Sequence, residues 1–265
     1  MKRSHHKPHR IKPKKSIFKK PAFWLVFLFL FLTTAGIYFL VYFEAFQVDK
    51  IIISGNQKVQ AKELESLIAE NIKHKLWFAN TQNIFLTNST KITKIVTGQY
   101  PVIGSIGIKK RLPSTLLVDI KERKPFAIFQ NGSEYFFIDE KGVAFEKAPG
   151  SMIGFSIVRH IGASETEKLV LGEEVVDKET MGKIAEIQKS IGEKSQISVK
   201  EADIVSEERL NIKTDENWEA YFNLTIDIDL QIEKLRLILE NELPKESREG
   251  LQYIDLRFKH KVYYK

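Results

Sequence analysis

Imidazoles and carboxylates are the starting points for any chemistry here, because the chain contains no cysteine. Without a thiol there is no thiolate nucleophile, no disulfide and no Cys-ligated zinc. Histidines occur at His5, His6 and His9, and then at His74, His160 and His260. None of the last three has a second histidine at i, i+4, the spacing that sets two ligands on one helix face. His74 closes a helical pattern, where a histidine serves as a solvated C-terminal cap. The first trio could bind a metal, but it lies among Lys, Arg and Pro residues that read as a solvated tail. Asp139-Glu140 invites an acid/base reading. The pair belongs to Asp139-Glu140-Lys141-Gly142, a turn sequence in which aspartate is favoured because it hydrogen-bonds its own backbone. No G-x-S-x-G or H-E-x-x-H pattern is present. No catalytic, cofactor-binding or metal-ligating set is therefore expected, and no small-molecule substrate; the chain reads as non-enzymatic.

The surest element positions a domain rather than a reaction. Residues 22–43 read AFWLVFLFLFLTTAGIYFLVYF, with no Asp, Glu, Lys or Arg. At about 1.5 Å per residue this run spans roughly the 30 Å of a hydrocarbon core. Trp24 near one end, and Tyr38 and Tyr42 near the other, suit the headgroup level. A core helix would keep a polar face, and this run is apolar all round. A cleaved signal would be shorter and end in a small-x-small site, whereas Glu44 and Phe46 follow here. The expectation is an uncleaved transmembrane helix at 21–43 in contact with the lipid bilayer.

Residues 1–20 carry nine bases and no acid, so the net +7 of the chain divides into +9 in the tail and −2 over the remainder. Nucleic-acid binding is not expected, since such domains carry their positive charge on the fold itself. The same asymmetry predicts a cytoplasmic tail at 1–20 and an extracytoplasmic remainder, with the tail free to touch anionic lipid headgroups.

Beyond the helix the periodicity is globular. Val48–Ser54 reads as a strand stopped at Gly55-Asn56. Lys62–Lys73 and Ile84–Gln99 have helical spacing, the second with Phe85, Ile92, Ile95 and Val96 on one face and Pro101 ending it. Strands follow at Ile106–Ile108 and Leu116–Ile120, giving β-α-α-β-β. From Phe126 the chain turns strand-rich, with a hairpin signal at Asn131-Gly132. Helices are expected at Lys178–Ile191 and Leu230–Leu243, the latter with Ile232, Leu235, Leu239 and Leu243 aligned. Strands are expected at Leu210–Lys213, Glu219–Leu224 and Tyr253–Phe258. The fold class is α+β. Glu122 and Arg123, at a strand exit, suit either a salt bridge tying two domains together or plain solvation.

The ordered parts resemble the FtsQ/DivIB family of bacterial cell-division proteins. Val48–Asn56 (VDKIIISGN) is similar to the family's opening V-x-x-I-x-V-x-G-N. Tyr100-Pro101-Val102 and Ile106–Phe129 (IGIKKRLPSTLLVDIKERKPFAIF) resemble its R-x-L-P-x-T-L-x-I-x-V-x-E-R-x-P-V-A segment. Tyr135–Val143 resembles Y-x-L-I-D-x-x-G-x-V, and Tyr253–Phe258 (YIDLRF) its terminal iDLR strand. In 147–175 the L-P-x-I-x-G segment has only a loose equivalent, Val158–Gly162. The resemblance implies a polypeptide-transport-associated (POTRA) domain at 46–124 and a mostly antiparallel β domain with flanking helices at 125–265.

One feature has a binding mechanism. If Tyr253–Phe258 and Val262–Tyr264 form the last strand of the sheet, its outer edge offers unpaired N–H and C=O groups to an added strand. Tyr253, Asp255, Arg257, Phe258, Val262, Tyr263 and Tyr264 are the expected partner-binding residues, with the aromatics as anchors; their competing role is to pack the end of the sheet. The resemblance implies FtsB/DivIC-type and FtsL-type partners at the division septum and a scaffold linking early and late division proteins. Rival readings are a membrane-anchored cell-wall-modifying enzyme and a POTRA-bearing chaperone or translocation component.

Overall fold

The computed structural model describes residues 20–76, 79–150, 152–162, 168–195 and 197–265. Of the basic tail, residues 1–19 lie outside the described residues, and with them His5, His6 and His9. Helix α1 (Pro21–Tyr42) buries no residue and is long and apolar enough to cross a membrane. The hydroxyls of Thr33 and Thr34 donate to the Leu30 carbonyl at 2.9 and 2.7 Å, so these residues keep their polarity inside the helix.

The chain divides into two compact units. One holds α1 and the chain to Ile52, together with Ala69–Asn88 and Ile108–Leu117. Here a helical turn at Glu44–Phe46 leads out of α1, and a short hairpin forms from β2 (His74–Leu76) and β3 (Ala79–Thr81). That hairpin is absent from the expected β-α-α-β-β order, and it places His74 on a strand rather than at a helix cap. The last carbonyls of an α-helix have no intrahelical partner, and in α1 side chains from this unit supply them. Asn83 Nδ2 donates to Leu40 O at 2.8 Å and Val41 O at 3.1 Å. Val41 O also accepts from Thr81 Oγ1 at 3.1 Å and Gln47 Nε2 at 2.9 Å. Asn83 and Thr81 are accordingly buried, beside Val48, Ile72 and Ile84.

The strands β1 (Lys50–Ser54), β4 (Ile103–Arg111) and β5 (Thr115–Glu122) form a small sheet in the order β1-β5-β4. In the second unit Leu64 and Ile68 of α2 (Ala61–Asn71) are buried, as are Ile92 and Val96 of α3 (Ser89–Gln99). The second helix starts later than its apolar pattern suggests. Asn88-Ser89 offers a capping residue there, and Phe85 remains 50% exposed. Gly55 takes φ +83°, and a Cβ on it would lie 2.1 Å from the Ile120 carbonyl oxygen, so no other residue fits that turn. Glu122 does not pair with Arg123. Its carboxylate accepts the Gln57, Lys58 and Val59 N–H groups at 2.8, 2.9 and 3.3 Å. Arg123 instead pairs with Asp139, whose other oxygen accepts from Lys141 and Val143 N–H across the turn.

The large sheet has nine strands: β6 (Ala127–Asn131), β7 (Glu134–Ile138), β8 (Ala144–Lys147), β9 (Ile157–His160), β10 (Val199–Ser206), β11 (Arg209–Thr214), β12 (Glu219–Asn223), β13 (Tyr253–Asp255) and β14 (Tyr263–Tyr264). Their order is β14-β13-β12-β11-β10-β9-β6-β7-β8. Five pairings are antiparallel; β6–β9, β9–β10 and β12–β13 are parallel. Asn131 ends its strand, and Gly132-Ser133 forms the turn, with Gly132 at φ +58°. Helices α4 (Lys178–Ser195) and α5 (Ile228–Asn241) follow β9 and β12. Their inward rows, Met181, Ile184 and Ile187 on α4 and Ile232, Leu235 and Leu239 on α5, join one core with Trp218, Phe222 and Ile254. Each fully buried side chain of this size contributes about 1.5–3 kcal/mol.

Gln231 is a polar residue buried with that core, at 0% exposure. Its Oε1 accepts from Asn223 N–H and its Nε2 donates to Asn223 C=O, both at 2.8 Å, tying α5 to the end of β12. Replacing it by alanine removes both bonds and leaves the part-buried Asn223 N–H without this acceptor. Gln231→Ala is expected to destabilise the chain by about 1–3 kcal/mol, read as a lower urea midpoint of the purified protein.

Candidate functional site

The outer end of the large sheet is assembled by a return from α5. After Asn241 the chain passes Pro244 and a helical turn at Lys245–Ser247. Arg248 holds this return: its Nε donates to Leu243 O at 2.9 Å, and its Nη1 sits 3.2 Å from Glu216 Oε1. β13 then enters parallel to β12, with Glu219 N–H on Gln252 O and Leu256 N–H on Tyr221 O, each at 3.0 Å. Ile254 and Leu256 point into the core at 0% exposure.

The period-two alternation of a strand sends Tyr253 and Asp255 to the opposite face. There Tyr253 stacks on Tyr221 at 5.3 Å, and the Arg209 and Arg257 guanidinium groups lie 4.9 and 5.6 Å from the Tyr221 ring centre. Arg257 grips Asp255 with two bonds, Nε to Oδ1 at 2.8 Å and Nη2 to Oδ2 at 2.6 Å, and its N–H adds a third at 3.1 Å. Burial works to raise the Asp255 carboxyl, but the Arg257 bonds and charge outweigh it and hold the group below its ordinary value. Of the residues expected to meet a partner, these two are engaged with each other.

The outermost strand is β14, not β13. Its pairing is Asp255 with Tyr263 and Ile254 with Tyr264. Lys265 and Tyr253 exchange both hydrogen bonds, Lys265 N–H to Tyr253 O at 3.2 Å and Tyr253 N–H to Lys265 O at 3.3 Å. In an antiparallel ladder bonded pairs alternate with non-bonded ones. Tyr264 therefore occupies a non-bonded position, and its N–H and C=O point away from the sheet. Val262, two residues back, precedes the strand, and its side chain packs against the core.

Around this edge lies exposed apolar surface. Phe258, Tyr263 and Tyr264 are 47%, 48% and 45% exposed. Phe258 meets Tyr263 edge-on at 5.2 Å, and the Tyr264 hydroxyl donates to Glu242 Oε2 at 3.1 Å, which raises its pKa. Lys234 Nζ donates to Phe258 O at 2.8 Å, setting one stripe of α5 beside the cluster. Leu230 and Leu237 flank Lys234 on that stripe and are also exposed. Sequence reasoning passed over both. The signal was available, since they fall off the row of Ile232, Leu235 and Leu239 that the core uses.

Elsewhere, His160 Nε2 lies 3.2 Å from Val175 O, and His260 is exposed. Among the described residues no group of three or more His, Asp or Glu side chains is placed to hold a metal.

A family model described as POTRA domain, FtsQ-type, matches residues 46–123, and one described as Cell division protein FtsQ/DivIB, C-terminal, matches residues 127–257. The chain is 24% identical over 207 residues to the cell division protein DivIB of Clostridium tetani, covering 76% of this chain and 75% of the relative. It is 32% identical over 101 residues to the DivIB of Clostridium acetobutylicum, and 26% over 102 residues to the cell division protein FtsQ of Rickettsia typhi. Those two matches cover 38% of this chain and little more than a third of each relative, 37% and 35%.

The Asp255–Arg257 pair has a pH signature. A carboxyl held below its ordinary value stabilises the fold above that value and loses the contribution as pH falls through the folded-state pKa. The difference in urea midpoint between the native chain and Asp255→Asn is expected to be present at about pH 7 and to vanish below the ordinary value of 3.8.

Proposed function

The chain belongs to the FtsQ/DivIB family of cell-division proteins, and on that footing we propose that it is a membrane-anchored scaffold of the division complex that works by binding, without chemistry of its own. The nine bases ahead of α1 support a cytoplasmic N-terminus and an extracytoplasmic fold. The proposed partners are the FtsB/DivIC-type and FtsL-type proteins of the same cell, met at the septum, with the POTRA-type region at 46–123 as a further contact surface.

The observation that carries the reading is the outward-facing backbone of Tyr264 within exposed apolar side chains. A strand added at β14 gains main-chain hydrogen bonds from Tyr264. Phe258, Tyr263, Leu230 and Leu237 provide the desolvated anchors that dominate such interfaces. Tyr253, Asp255 and Arg257 contribute indirectly, by fixing β13 and hence the register of β14.

Tyr264→Pro removes the outward N–H and leaves the Lys265–Tyr253 bonds to β13 in place. In pull-down with the cell's own DivIC-type protein, Tyr264→Pro and Phe258→Glu are each expected to weaken capture by tenfold or more, and Tyr264→Phe to leave it near native. Native capture by both damaging variants would overturn the edge-strand reading.

A further inference from the structure

We propose that the membrane-proximal unit docks on the surface of the bilayer from which α1 emerges, inserting Phe85, Leu86 and Leu112 among the lipids and placing Lys109, Lys110 and Arg111 against anionic headgroups. The proposal needs α1 to span a membrane. It does not depend on which side the helix emerges or on which protein binds the sheet edge.

The first support is depth. Asn83, Thr81 and Gln47 bond the Leu40 and Val41 carbonyls of the last turn of α1, so residues 81–83 lie within side-chain reach of the helix end. Tyr42 is tied in the same way, its hydroxyl donating to Leu76 O at 3.0 Å. A row of rings continues outward: Phe39 on Phe43 at 4.3 Å, Phe43 to Phe46 at 6.0 Å, Phe46 to Phe85 at 5.4 Å. Phe85 is thus linked by ring contacts to the part of the chain that leaves the hydrocarbon.

Exposure is the second support. Phe85 and Leu86 are 50% and 37% exposed where a helical face was expected to bury the phenylalanine. Lys110 Nζ donates to Phe85 O at 3.1 Å, which brings the β4–β5 turn to the same place. That turn carries Leu112, 58% exposed, behind Lys109-Lys110-Arg111. Apolar side chains at the tip with bases beside them form the pattern of an interfacial anchor.

Charge is the third. C-terminal to α1 this unit holds six bases against three acids, although residues 21–265 together carry −2. The excess is local to the unit that joins the helix, and the bilayer is the anionic surface that the helix already places within reach.

The absence of cysteine makes the test direct. The full chain, with Leu112→Cys or Phe85→Cys carrying a nitroxide, is reconstituted into vesicles of phosphatidylglycerol and phosphatidylethanolamine. Collision with oxygen is compared with collision with a water-soluble nickel complex. Both labels are expected to report lipid, and each of Lys110→Gln and Arg111→Gln to reduce the docked-to-undocked ratio by about fivefold. Labels that report water in these vesicles would overturn the proposal. So would lipid contact that persists unchanged in the Lys110→Gln, Arg111→Gln double variant, or in vesicles of phosphatidylcholine alone.

Discussion

Parallel strands cannot be joined by a tight turn, and that constraint organises the large sheet. β9 and β10 are parallel neighbours, so the chain between them must cross over, and it does so through α4. β12 and β13 are parallel as well, and α5 makes the second crossover. The two helices contact each other and bury their apolar rows in one core with the sheet. The opposite face is left to Tyr221, Tyr253, Arg209 and the Arg159 cluster. β9 has only four residues, yet it pairs with β6 on one side and β10 on the other. Val158 is fully buried, and Arg159 lies 2.6 Å from both Glu201 and Asp203. Without that strand the hairpins β6-β7-β8 and β10-β11-β12 would be separate ribbons.

The same constraint produces the edge. β13 returns parallel to β12, and one further reversal adds β14, on which the sheet ends. A two-residue edge strand exposes few backbone groups, which limits unwanted pairing between copies. It also cannot bind tightly by main chain alone. The exposed side chains of Phe258, Tyr263, Leu230 and Leu237 would complement so short an edge in the proposed strand addition. At the other end of the chain, α1 has its carbonyls capped by Asn83, Thr81 and Gln47, so the helix continues into folded structure instead of fraying into a linker.

Much of this was legible in the residues. The apolar run of α1, the alternation in β5, the Gly55 turn and the α5 row of Ile232, Leu235 and Leu239 each express a single local period. What escaped depends on partners distant in sequence. β10 has no counterpart among the expected strands: its inward alternation is confined to Ala202 and Ile204, and Glu201 and Asp203 between them pair with Arg159 of the neighbouring β9. The β2–β3 hairpin is too short to show a period. Ile84–Gln99 has helical spacing throughout, but Asn83 is drawn to the end of α1, and the helix begins only at Ser89. At the site, the aromatic positions were readable, whereas the strand that would be outermost was not. The Asp255–Arg257 grip follows from a spacing of two on one strand face, yet it removes both residues from the free surface.

In the proposed complex the Tyr264 N–H bonds a partner strand. Amide hydrogen exchange of the full chain, with and without the proposed DivIC-type protein, reads that bond. Tyr264 exchange is expected to slow by tenfold or more on binding, while the Lys265 amide, already bonded to Tyr253, changes little. Complex formation with Tyr264 exchange unchanged would contradict it.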